Sequence, residues 1–372
     1  MARIVYLATA DARGHLMRAQ LLVHALRRRG ADVDVVTTSH AGRAFLRGFG
    51  IEARILSHHY AMQFDTRQNL LRGASNRNVV AYMAHPARML RDIWRLRRTL
   101  RGRDLLVNDS FHPAAIIMGV LPAWRRKVVH VYGASLREAV LGNFDGVGPG
   151  FFGPLFRRCV GWQIDAARAR FEHDFAYGLD EAATPLAHRL PTPVAVAGPA
   201  PYTGTGTGMG TAAVYLNPHF RDTALADALC AGIADAGLSV HRVGEGYAAS
   251  RGWLGVDPDW ATRAAHADVI VSAPGMAALS VAVVYARPIV LVLTEQPEQA
   301  SNARRAMQLS IPHRTVTWRG DAPDFRRALG AAVAGLAAGA CAPATAASGS
   351  ARAQARVDAW TDRLLALCGA PA

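Results

Sequence analysis

Strand-like and helix-like segments alternate twice along this chain, and a Pro-, Gly- and Thr-rich stretch separates the two runs. Residues 3–10 form a short apolar run suited to a parallel strand buried on both faces. A Gly-containing turn over 11–15 follows, and over 16–29 the residues Leu16, Ala19, Leu22, Val23 and Leu26 mark one helical face. Arg27, Arg28 and Arg29 suit the carboxyl end of the helix dipole, and Gly30 suits the residue after it. Residues 33–38 read as a second strand, so the chain opens with a βαβ unit, whose crossover is right-handed and whose sheet is parallel. Residues 105–109 and 128–132 read as further strands.

The break lies at 191–210, where Pro191, Pro193, Pro199 and Pro201 lead into alternating Thr and Gly. No Gly-x-Gly-x-x-Gly register closes there, and the stretch precedes a strand rather than following one. It therefore reads as a hinge and not as a dinucleotide fingerprint. Beyond it the alternation restarts. Strands are expected at 213–216, 238–243, 268–272 and 289–293, and helices at 222–236, 259–267, 276–286 and 302–309. The Ala-rich stretch 330–350 suits the end of a helix and a loose connection before a last amphipathic helix over 351–367. A length of 372 residues fits two cores better than one. The expected organisation is an α/β domain over 1–190, a linker over 191–211, a second α/β domain over 212–350 and a terminal helix over 351–372. Each domain would be doubly wound and Rossmann-like, opening its ligand crevice at the carboxyl ends of its strands.

Composition narrows the function classes. Apolar residues make up 51% of the chain and charged ones 19%, as in a globular protein. The opening residues read at once as a strand and not as a signal peptide, and Arg287-Pro288 breaks the longest apolar stretch short of a membrane span. Four scattered cysteines without a Cys-x-x-Cys pair speak against a zinc site or a disulfide framework and fit a reducing cytoplasm. The net charge of +14 calls for an anionic partner, whether nucleic acid, lipid headgroup or phosphorylated substrate. No nucleic-acid reader motif is present. Seven arginines against one aspartate lie in 88–103, with Leu90, Ile93, Trp94 and Leu100 among them. That pattern is either an amphipathic helix lying on anionic lipid or a solvated basic helix with a core-facing stripe. His58-His59 has no partner at metal-ligand spacing and reads as loop.

Candidate functional residues cluster at expected strand ends. His15 follows the first strand, and a mostly neutral imidazole, reference pKa ~6.5, can accept a proton at neutral pH; the alternative is a residue that only caps the turn. Gly275, Met276 and Ala277 lie where a strand gives way to a helix, whose free amides suit a diphosphate; helix–sheet packing would also favour Gly275. Arg221 follows the first strand of the second half and could pair with a phosphate, or be a solvated arginine.

These residues resemble a known family. Arg13-Gly14-His15-Leu16 is similar to the Gly-His turn of the UDP-glycosyltransferases and of the lipid-linked N-acetylglucosaminyltransferase of peptidoglycan synthesis. Asp268 to Leu279, then Ala286-Arg287-Pro288, then Glu298-Gln299 and Asn302-Ala303 resemble the donor-binding half of the same enzymes in order and spacing. The resemblance implies a GT-B glycosyltransferase with a cleft between its halves, the acceptor on the first and a nucleotide-sugar donor on the second. It implies inverting transfer to an unidentified acceptor hydroxyl, with no metal and no cofactor beyond the nucleotide-sugar co-substrate. By the same resemblance His15 is the base and Asp109 the carboxylate that orients it. Gly14, Gly275, Met276, Ala277 and Arg221 fall on the donor side, Glu298 and Gln299 match a pair on the donor-sugar hydroxyls, and Asn302 matches the start of the following helix. The sequence departs from the pattern at Ala273, where the plant enzymes carry His, and at Val281, where both relatives carry a ribose-bridging Glu. A nucleotide-sugar epimerase of this fold and an inactive member that binds a glycan or anionic partner stay open as alternatives.

Overall fold

The computed structural model describes residues 1–372 except 10–12, 58–84, 110, 142–149, 180–183, 185–186, 200–209, 295, 339–345 and 370–372, and except the side chains of 138, 139, 152, 297, 298 and 346. The described residues divide into two compact units. One runs to Thr192 and resumes at Arg356, and the other spans Pro193–Ala355.

The first unit is built on seven parallel strands: β1 Arg3–Ala8, β2 Asp32–Thr37, β3 Ala53–Ile55, β4 Leu105–Asp109, β5 Val128–Gly133, β6 Ala169–Asp174 and β7 Ala187–Pro191. Their order is β3-β2-β1-β4-β5-β6-β7. β1 shows why these segments are strands. Ile4, Tyr6 and Ala8 enter the core on one face and Val5 and Leu7 the core on the other, so both faces are covered, as a parallel sheet requires. Helices α1 Arg13–Arg28 and α2 His40–Gly48 cover the first face. The second carries α3 Pro86–Thr99 and α4 Pro113–Val120, followed by α5 Ala134–Leu141 and α6 Phe152–Asp165. The strand order reverses between β1 and β4, and at such a switch point a doubly wound sheet opens its crevice.

The second unit has five parallel strands, β8 Thr211–Leu216, β9 Ser239–Gly244, β10 Val269–Ser272, β11 Ile289–Leu293 and β12 His313–Thr317, in the order β12-β11-β10-β8-β9. Its switch point lies between β8 and β10. The helices are α7 Thr223–Asp235, α8 Trp260–His266, α9 Met276–Tyr285, α10 Pro297–Gln308 and α11 Ala322–Ala338. Asp222 caps α7, its carboxylate accepting from the Ala224 amide at 3.0 Å. α9 ends at Ala286 in the left-handed region (φ 50°), and Pro288 stands two residues beyond. The final helix, α12 Ala346–Gly369, begins in the second unit, where the Ser350 hydroxyl donates to the Ala197 carbonyl at 3.0 Å. From Arg356 it belongs to the first unit, where buried Trp360 donates its indole N–H to the Pro191 carbonyl at 2.9 Å.

The expected α/β class and both parallel sheets are present, and several boundaries differ; α12, for one, begins at Ala346 and not at 351. α1 begins at Arg13, not Leu16, so Gly14 and His15 lie in its first turn. α10 begins at Pro297, five residues before the expected Asn302, because proline suits a first helical position that lacks an amide partner. The expected linker over 191–211 is shorter at both ends. Thr211 opens β8, and the amide of Ala197 and the carbonyl of Ala195 bind the Tyr285 hydroxyl at 2.7 Å each, tying that stretch to the second unit.

Candidate functional site

In the first unit the residues after β1 and at the end of β4 meet at the switch point. Thr9, fully buried, follows β1, and its Oγ1 is hydrogen-bonded to His15 Nδ1 at 3.1 Å. Asp109, also fully buried, ends β4. It accepts from the Tyr6 hydroxyl at 2.8 Å and from Arg18 Nε at 2.9 Å, and Arg18 Nη2 donates to its other oxygen. Arg18 is 5% exposed, so this two-toothed ion pair is dry. His15 Nδ1 is thus engaged by Thr9, while both oxygens of Asp109, the carboxylate expected to orient His15, face the Arg18 guanidinium.

Arg18 also reaches β6, where its Nη1 donates to His173 Nε2. A guanidinium can only donate, so Nε2 carries the lone pair, and the proton sits on Nδ1, which donates to Thr192 Oγ1 at 2.9 Å. His173 is therefore neutral. Burial, then the Arg18 charge, then nearby His15 push its pKa well below the usual range. Burial works against the Arg18 charge, and the Asp109 carboxylate outweighs it, so the Arg18 pKa is raised. Burial, with Asp109 second, drives the Tyr6 pKa far up and keeps its proton in place as a donor.

The turn leaving β4 is strained. Phe111 has φ 61°, uncommon for a bulky residue, and is 3% exposed. It stacks on Tyr132 with ring centroids 4.7 Å apart. Asn108 braces the same turn, its Oδ1 accepting from the His112 amide at 3.0 Å.

In the second unit, the pairing of Tyr215 with Ser272 brings the loop after β8, starting at Asn217, level with Ala273 to Gly275. Gly275 is the cap of α9, with φ −83°, a conformation open to any residue. A Cβ on it would meet nothing nearer than the Ala273 carbonyl oxygen at 3.9 Å. Among the described residues the helix–sheet packing that could also have favoured Gly275 is thus absent, and none of them crowds the cap of α9. Met276 is half-buried and Ala277 exposed in the first turn of α9. Buried Asn302 on α10 donates from Nδ2 to the Pro274 carbonyl at 2.8 Å and holds the turn before Gly275. Gln299, also buried, uses its Oε1 to accept from the Thr294 amide at 2.7 Å, fixing the end of β11. The Glu298 side chain lies outside the described residues.

Arg221 is exposed, and its Nε donates to the Pro218 carbonyl at 3.4 Å. Gly14 is exposed in the first turn of α1, with open space where a Cβ would stand. Val281 is 7% exposed inside α9 and offers no polar group at that position. Among the described residues no group of three or more His, Cys, Asp or Glu could hold a metal ion, and no helix is long and apolar enough to cross a membrane.

Sequence reasoning missed Thr9, Arg18, His173 and Thr192 in the first unit. Arg18 had a signal: it lies three residues after His15 and next to Ala19, within the apolar stripe of α1, where a charge needs a buried partner. In the second unit it missed His219, whose pKa burial lowers to about 4 and whose Nε2 lies 3.4 Å from Gln296 Nε2.

Neither family models nor characterised sequences give a match to this chain. Solved structures do. The chain is similar to CalG4, the calicheamicin glycosyltransferase, with a TM-score of 0.61 and 17% identity over 100% of this chain and 99% of that one. It is similar to the glycotransferase of kitacinnamycin, with a TM-score of 0.59 and 17% identity over 98% and 99% of the two chains. It is also similar to the spinosyn rhamnosyltransferase SpnG in complex with thymidine diphosphate, with a TM-score of 0.55 and 15% identity over 97% and 96%. The fold is GT-B.

Proposed function

We propose that the chain is a glycosyltransferase that moves a sugar from a nucleoside diphosphate donor to an acceptor hydroxyl with inversion. The observation that carries this reading is the open amide end of α9. Gly275 is required there neither by its own backbone angles nor by its neighbours, as expected where a ligand's phosphates approach the main chain. The fold, shared with the thymidine diphosphate complex, is the second support.

In this reading His15 Nδ1–H donates to Thr9 Oγ1, a tautomer in which Nε2 is the basic nitrogen. As the acceptor oxygen attacks the anomeric carbon, its proton passes to Nε2, and the bond from that carbon to the diphosphate oxygen breaks. The charge gathering on the leaving diphosphate meets the free amides at the start of α9, so that a divalent cation is not required for this step. Arg18, Asp109 and His173 are positioning residues: they fix α1, which carries His15, against β4 and β6. Gln299, through Oε1, and Asn302, through Nδ2, hold the turns around the donor.

The test is release of nucleoside diphosphate from UDP-, TDP- and GDP-sugars in the presence of hydroxylated acceptors. His15→Ala should lower kcat by about 10²- to 10⁴-fold, the usual contribution of a general base. No release with any donor, together with no effect of His15→Ala, would end this reading. Val281 favours a second one, an inactive member that binds a glycan or anionic partner, because α9 supplies no carboxylate for a ribose at that point. Binding of a glycan without binding of any nucleotide would select it.

A further inference from the structure

From the outer surface of α3, α4 and α6 we infer that the first unit carries a docking surface for an anionic lipid bilayer. The inference is independent of the transferase reading.

α3 buries Asp92, Leu96 and, just past its end, Leu100 against the sheet. Almost diametrically opposite, at the helical spacing of four, stand Leu90 and Trp94, 62% and 53% exposed. The stripe read from the sequence is thus divided, with Leu100 facing the core and Leu90 and Trp94 facing solvent. α6 does the same. Ile164 is buried, while Leu155 and Trp162 are each 58% exposed on the other side. α3 and α6 both pack on the short helix α4 between them, so their outer faces belong to one helical layer. Two tryptophans and two leucines turned to water on two helices of one layer are not explained by the core.

Their surroundings specify the occupant. Arg88, Arg91, Arg97 and Arg98 are exposed on α3, and among the described residues no carboxylate pairs with them. Arg98 lies over the Trp94 ring, 4.6 Å from its centroid. A second copy of the chain docked through the same face would set arginines against arginines. A bilayer supplies both complements at once: anionic headgroups for the guanidinium groups, and the headgroup–acyl boundary for indole and leucine side chains.

The test is flotation of the full chain with vesicles of phosphatidylcholine alone and with 3:7 phosphatidylglycerol:phosphatidylcholine vesicles. Binding is expected only to the anionic vesicles and should fall at least tenfold in Leu90→Ser/Trp94→Ser and in Arg97→Gln/Arg98→Gln. Trp162→Ser should weaken it as well. Brominated lipid should quench tryptophan emission in the wild type and quench it less in the Trp94 variant. All these residues are exposed, so circular dichroism and thermal unfolding should match the wild type. Failure to float on anionic vesicles, equal flotation on neutral ones, or unchanged flotation of the Leu90/Trp94 variant would overturn the proposal. So would a concentration-dependent dimer, or retention of RNA, that the same substitutions abolish.

Discussion

Arg18 and Asp109, 91 residues apart in the chain, form an ion pair that is 5% exposed on one side and fully buried on the other. Two charges withdrawn from water are held by hydrogen bonds on each side, the carboxylate by Tyr6 and the guanidinium by His173. Removing one partner leaves the other charge buried alone. Asp109→Ala should therefore destabilise the protein by about 3–5 kcal/mol, and Asp109→Leu with Arg18→Met together should cost less than Asp109→Ala by itself. Urea unfolding of the three proteins checks this, and a double variant no more stable than Asp109→Ala would contradict it.

Thr9 is expected to act on rate rather than on fold. Thr9→Val removes the 3.1 Å bond to His15 Nδ1 but keeps the side-chain volume. If that bond sets the imidazole's orientation, a loss of about 1 kcal/mol lowers kcat roughly fivefold and leaves KM for the donor unchanged. Steady-state kinetics with the donor varied separates the two parameters; a change in KM alone would remove Thr9 from the catalytic step.

Acid should weaken the fold from the inside. Burial lowers the pKa of His130 to about 3, with Arg170 adding to it, and burial lowers that of His219 to about 4. Both are neutral when folded, whereas an unfolded histidine takes up a proton near pH ~6.5. Below that pH the unfolded state binds more protons, so the contribution is complete above pH ~6.5. It is lost as pH falls toward about 4 for His219 and about 3 for His130, by at most ~1.4 kcal/mol per pH unit for each. Unfolding free energies between pH 7.5 and 4.5 should show the slope, and His130→Gln should reduce it; a flat profile would contradict the account.

The parts of the molecule that were legible in the sequence are those written in local pattern. β4 and β11 stand where their apolar runs put them, and Asp222 caps its helix as its side chain suggests. β6 was not legible, because its Ala-Arg-Phe-Glu-His-Asp run alternates like a half-exposed strand in a stretch of mixed charge. β3 has only three residues. Of the candidate site, position was legible: Asp109 ends β4, His15 lies in the first turn of α1 and Gly275 follows β10, each beside a switch point. Its wiring was not. Arg18, which engages both Asp109 and His173, has its partners 91 and 155 residues away. No spacing rule connects residues that far apart.

The open turn before α9 is tested most directly by calorimetric titration of the wild type and of Gly275→Val with thymidine, uridine and guanosine diphosphates. Among the described residues a Cβ at 275 meets nothing closer than 3.9 Å, so the variant should fold, losing at most about 1 kcal/mol at a helix cap. The account predicts that at least one diphosphate binds the wild type and that the valine weakens it tenfold or more. Equal affinity in the two proteins, or no binding of any of the three to the wild type, would contradict it.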